Sequence, residues 1–210
     1  MRTGRLEAFS DGVIAILITI MVLDLRPPKG TSLADLSAVA PVALTYVLSF
    51  VYLGIYWSNH HHMFQLVKHV NGAILWANLH LLFWLSLFPF ATAWVGERHF
   101  ATVPIACYGV VLLLAAIAYY VLQMAIVADQ GAGSRLAAAI GRDLKGKVSP
   151  VIYLVAIPVA FAERWVGFGL YVLVALIWLV PDRRVEANLA AEGAAAAAED
   201  EQEEGRLGQA

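Results

Sequence analysis

The sequence predicts an all-α integral membrane protein with six transmembrane helices per subunit, and three observations carry that fold class. First, 60% of the 210 residues are hydrophobic and 14% are charged, against about 25% charged in ordinary soluble domains. Second, Asp, Glu, Lys and Arg are absent from 36–67, 69–96, 99–128, 148–162 and 165–181, and apolar runs of about 18 residues or more read as membrane spans. Third, the basic residues favour one side. With the N-terminus in the cytoplasm, the inner segments hold Arg2, Arg5, Lys68, Arg135, Arg142, Lys145, Lys147, Arg183 and Arg184. The outer loops hold Arg26, Lys29, Arg98 and Arg164. That bias obeys the positive-inside rule for an even number of crossings. It puts both termini of a multi-pass protein on the cytoplasmic side of the cell (inner) membrane.

The elements follow in order. The first helix covers about 4–25. Residues 12–25 alone would give about 21 Å of helix, too little for a hydrocarbon core of about 30 Å. The helix therefore begins upstream and takes in Ser10 and Asp11. Arg26-Pro27-Pro28 ends it abruptly, with no small-residue cleavage site after it. The second helix is expected over 37–58, the third over 71–95 with a kink at Pro89, and the fourth over 102–128. The fifth (149–163, with Pro158) and sixth (166–181) are short, divided by Glu163-Arg164-Trp165. Merged into one helix they would overshoot the bilayer by roughly 20 Å. Residues 1–181 thus form the transmembrane domain. Residues 182–210 hold eight of the sixteen acids and read as an acidic, Ala/Glu-rich, flexible cytoplasmic tail.

Several function classes are disfavoured. Cys107 is the single cysteine and sits in an apolar run, so it offers neither a disulfide nor a zinc framework. His60-His61-His62 fan out by about 100° each on a helix and cannot converge on one ion, so no metal site is expected. His69 and His80 share a face, but no facing histidine completes a haem site. No cofactor is expected. GxSxG, HExxH and GxxxxGK[ST] are absent, and the chain does not read as an enzyme. The basic loop 135–147 borders the membrane, which argues against nucleic acid as a partner.

The first helix carries the informative chemistry. At about 100° per residue, Gly12, Ile16, Thr19, Ile20 and Leu23 fall on one face, while Asp11 lies about 140° from Ile16. A carboxylate roughly 10 Å inside the helix should face protein or water rather than lipid. Glu7, four residues before it, repels it, so its partner belongs to another helix. Donors at matching depth are Trp57, Asn59, His60 and His61 at the inner end of the second helix and Asn78 and His80 on the third. A polar cluster of Ser10, Asp11, Trp57, His60, Asn78 and His80 is expected. It would serve either as helix–helix glue or as a gate or proton relay.

Arg5-x-x-x-Phe9-Ser10-Asp11-Gly12 resembles the RxxxFSDG signature of the endosomal and lysosomal potassium channel family (transmembrane protein 175) and its bacterial members. The WxxHH end of the second helix and the LSLFPF stretch of the third are similar too, so the resemblance covers about 4–181. It implies a homotetramer of six-helix subunits that conducts K+, with the first helix lining a central pore. The narrowest ring would fall on Ile16, further hydrophobic rings on Ile20 and Leu23, and a selectivity position on Thr19. No TVGYG loop occurs in this sequence. The signature implies that Arg5 and Phe9 belong with Ser10 and Asp11 in the inter-helix network. Helical angles instead put Arg5 near the pore stripe, at the cytoplasmic mouth, and both placements stay open. The alternative function is a proton or cation transporter that uses the Asp11–His cluster within each subunit.

Overall fold

The computed structural model describes residues 3–67, 69–131, 133–134, 136–138 and 144–179. Lys68, Arg135, Arg142, Arg183, Arg184 and the acidic tail 182–210 lie outside the described residues. Among the described residues the long helices are α1 (Thr3–Val22), α3 (Ala40–Gln65), α4 (Gly72–Leu85), α5 (Phe88–Glu97), α6 (Thr102–Gln130), α7 (Leu144–Ala162) and α8 (Arg164–Leu179). A single turn, α2 (Leu33–Ser37), lies in the α1–α3 connection.

Among the described residues, four segments are long and apolar enough to cross a membrane: Ala40–Gln65, Gly72–Glu97, Thr102–Gln130 and Leu144–Ala162. Arg164–Leu179 is apolar but shorter. In α1, any 18-residue stretch contains Arg5, Glu7 and Asp11. Its charge load therefore sets it apart from the other spans.

Local chemistry explains most boundaries. α1 ends three residues earlier than its apolar run. Leu23, Asp24 and Leu25 donate to Ile20, Met21 and Val22 in i→i+3 turns, the usual tightening of a last turn. Leu23 therefore stands just beyond the α-helix. α2 closes with a reciprocal capping box between Ser32 and Asp35. α3 starts at Ala40 with Pro41 in its first turn. It runs to Gln65 rather than stopping at 58, because the polar Trp57–Gln65 end finds partners on α1 and α4. Asn71 caps α4 through its side chain, which accepts from the Ile74 N–H at 2.9 Å.

The expected third helix breaks at Ser86-Leu87 into α4 and α5. Pro89 lacks an N–H, and its ring would meet the Leu85 carbonyl one turn back. α7 begins at Leu144, five residues before the expected start, and continues through Pro150 and Pro158. Its 19 residues reach about 28 Å, close to one bilayer core. The polar divider narrows to Glu163 alone.

The helices through Trp178 form one unit. α6 is its axis, packed against α4, α5 and α7, while α1 lies against α3, α4 and α5. Phe88, Tyr52, Tyr108, Leu81 and Leu112 are fully buried where these helices meet. The α5–α6 reversal puts two non-glycine residues, His99 and Phe100, at positive φ, a conformation that L-residues seldom adopt. Phe100 is held there by rings on α8, with Phe168 at 4.9 Å and Trp165 at 5.2 Å.

Candidate functional site

α1 has two unlike faces. Leu6, Ser10, Ile14, Leu17 and Met21 are buried. Their steps of four, four, three and four residues trace a ridge along one side of a helix. Ile16 is 56% exposed, Ile20 44% and Leu23 76% in the single chain. Gly12 and Thr19 are exposed beside them. Arg5 and Phe9 are exposed as well, seven and three residues before Gly12. Placed at 100° intervals, Arg5, Phe9, Gly12, Ile16, Thr19, Ile20 and Leu23 form one continuous stripe about 100° wide. The subunit covers the opposite side of α1 and leaves this stripe open.

Between the two faces runs a ladder to α3. Trp57 Nε1 donates to Asp11 Oδ1 at 3.1 Å. One turn down α1 and one turn along α3, His61 Nδ1 meets Glu7 Oε1 at 2.7 Å. The His61 Nε2 in turn meets Gln65 Nε2 at 2.9 Å. Trp57 and His61 stack with ring centroids 6.2 Å apart. The rungs match because α1 and α3 are antiparallel, and each contributes residues at i and i+4. Glu7 was expected only as a repulsive neighbour of Asp11. The structure makes it the second rung. The signal was present in the paired spacings Glu7/Asp11 and Trp57/His61.

Deeper in the subunit lies a separate buried chain. His60 Nε2 meets Asn78 Oδ1 at 2.8 Å, Asn78 Nδ2 donates to Ser10 Oγ at 2.9 Å, and Ser10 Oγ donates to the Leu6 carbonyl at 2.9 Å. An amide oxygen can only accept, so His60 carries its proton on Nε2. His60 stacks on Phe64 at 4.3 Å. Its Nδ1 is buried without a hydrogen-bond partner. This chain joins α1, α3 and α4 with every donor aimed toward α1.

The expected cluster is therefore two structures rather than one: Asp11 with Trp57, and Ser10 with Asn78 and His60. His80 belongs to neither. It is exposed, and its Nε2 accepts from Trp84 Nε1 at 2.9 Å. Two residues beyond buried Asn78, it points about 200° away around α4. Arg5 and Phe9 also stand apart, since Phe9 is rotated about 100° from Ser10 onto the open stripe.

A second buried polar group was not anticipated. Ser49 Oγ bonds Thr92 Oγ1 at 2.6 Å and the Tyr108 hydroxyl at 2.9 Å. Thr92 reaches Met21 Sδ at 3.7 Å, which ties the far end of α1 to α3, α5 and α6. Isolated hydroxyls inside apolar runs carry no periodic signal, so only the fold brings these together. On the open stripe, Thr19 Oγ1 donates to the Ile16 carbonyl at 2.9 Å, leaving the oxygen's lone pairs directed outward.

Residues 5–89 match the family model described as endosomal/lysosomal potassium channel TMEM175. A potassium channel of Chryseobacterium sp. (strain P1-3) is 54% identical over 189 residues, covering 90% of this chain and 98% of that protein. The crystal structure of a lysosomal potassium-selective channel TMEM175 homolog from Chamaesiphon minutus superposes with a TM-score of 0.75 at 30% identity. It covers 85% of this chain and 96% of its own. The human endosomal/lysosomal proton channel TMEM175 is 39% identical over 82 residues, 33% of this chain and 16% of that one.

Proposed function

The chain belongs to the TMEM175 channel family, and we propose that it is a potassium-conducting cation channel whose pore runs along α1 of four copies. The observation that carries this reading is the open stripe on α1. It is mostly apolar from Phe9 to Leu23, continuous over about four turns, and opposed by a face packed tightly into the subunit. Four such stripes converging on an axis would make rings of Ile16, Ile20 and Leu23, with Ile16 the narrowest. A ring of that kind excludes water and gates by dewetting. The ring of Thr19 oxygens, one turn further on, is where a cation regains polar contact, and there selectivity resides. Six crossings per subunit, two cytoplasmic termini, a cell (inner) membrane location and a tail at 182–210 complete the reading.

The test is potassium flux into proteoliposomes of wild-type and Ile16→Asn protein, with the symmetry of the assembly determined in parallel. The polar ring should raise flux several-fold and weaken selectivity over sodium, in a particle with a fourfold axis through Ile16. Flux that ignores Ile16 but disappears in a well-folded Asp11→Asn variant would replace the shared pore with transport inside each subunit.

A further inference from the structure

A cavity of about 50 Å³, half open to the surface, lies among α3, α6, α7 and α8, well away from the α1 stripe. It would hold roughly four waters or one small organic group. Six of its lining residues are aromatic: Tyr52, Tyr56, Tyr119, Tyr120, Tyr153 and Trp178. Among the described residues, none that lines it is charged. The rings meet as corners, Tyr56 and Tyr119 at 68° with centroids 6.0 Å apart, Tyr52 and Tyr153 at 62° and 6.3 Å.

Five of the polar lining groups are hydrogen-bonded elsewhere. Tyr153 donates to Tyr52, which donates to the Tyr171 carbonyl. Trp178 Nε1 donates to Ser149 Oγ, which donates to the Lys145 carbonyl. Asn59 Nδ2 donates to the Ile55 carbonyl. Five donors are thus turned away from the space. Aromatic side chains from α3, α6, α7 and α8 surround the space, together with the amides of Asn59 and Gln123. An anion would find no cationic side chain among these described residues. A hydrated inorganic cation would find no charge to replace its water. An organic ammonium is weakly hydrated and is attracted by aromatic faces.

We propose that this cavity is an aromatic cage for a quaternary or alkylated ammonium group, supplied either by a small soluble amine or by the headgroup of a membrane lipid. The site does not depend on the conduction reading. The probes are choline and its uncharged carbon isostere 3,3-dimethylbutan-1-ol, titrated by saturation-transfer NMR against the full-length assembly in phosphatidylglycerol nanodiscs. Choline should bind at least tenfold more tightly than the isostere, and both Ala116→Phe, which fills the space, and Trp178→Leu should weaken choline at least tenfold. Phosphatidylcholine nanodiscs separate the sources. A tenfold weaker apparent affinity there identifies the lipid headgroup, and an unchanged affinity identifies a soluble amine. Equal affinities for choline and its isostere would overturn the proposal and leave a plain apolar pocket. So would choline binding that survives Ala116→Phe in an intact assembly, or no choline binding in the phosphatidylglycerol discs.

Discussion

The two long sides of α1 have nearly the same hydrophobicity and opposite fates. Ile14, Leu17 and Met21 are sealed into the subunit, while Ile16, Ile20 and Leu23 stay largely exposed. What differs is the polar chemistry that rotates the helix. Ser10 pulls one side toward Asn78, and Glu7 and Asp11 hang a flank on His61 and Trp57. Apolar residues in a bilayer have little preference between protein and lipid, because the hydrophobic force between helices is weak there. A few hydrogen bonds can therefore decide which apolar stripe is packed and which is left open.

The largest effect that could break this contrast is expected from Asn78→Leu. It leaves the His60 and Ser10 groups buried without their partner, at about 1–3 kcal/mol for each unsatisfied group. The thermal midpoint of the purified assembly should drop sharply, and an unchanged midpoint would mean that the chain does not orient α1. Trp57→Phe removes one rung at a half-exposed site, so a loss of about 1 kcal/mol is expected. It should be visible as faster amide exchange in the first three turns of α1.

Ile16→Asn probes the opposite side. Its stability should stay within about 0.5 kcal/mol of wild type, as for substitutions that remove no packed contact, even as flux changes. A collapse in stability would mean that the stripe is a packing surface. Smallest is a change on neither face. The Ser32 hydroxyl and N–H hold the exposed Asp35 carboxyl below its ordinary pKa. A lowered carboxylate stabilises the fold above the unfolded value, and that contribution is lost as pH falls through the folded one. Amide exchange at 33–36 should therefore quicken only in that acidic window, and Ser32→Ala, which keeps the backbone donor, should shrink the dependence.

Much of this was legible in the residues. Periodicity alone separated the stripe of α1 from the side that bears Asp11, because angles within one helix are fixed by its geometry. Depth matching gathered Ser10, Asp11, Trp57, His60, Asn78 and His80 into one cluster, without separating the Asp11–Trp57 contact from the Ser10–Asn78–His60 chain. It could not say how α4 is rotated, which is why His80 was grouped with them although it turns outward to Trp84. Helix ends were read least well. The run Trp57–Gln65 looks like a polar loop until its partners on α1 are known. The early start of α7 lies in a stretch with Lys145 and Lys147, where charge resembles a boundary. Phe9 and Arg5 adjoin Ser10 and Asp11 in the motif, yet a step of one residue turns a side chain about 100°.

The buried chain from His60 to α1 has one more property, its polarity. Each link gives a hydrogen in the same direction, and the last acceptor is the Leu6 carbonyl. A carbonyl can take a hydrogen bond but has no proton to hand on, and the Asn78 amide donates from Nδ2 without being a group that titrates. As plumbing the chain is a dead end. A proton arriving at His60 has no exit along it, so any proton that crosses this protein must take another road.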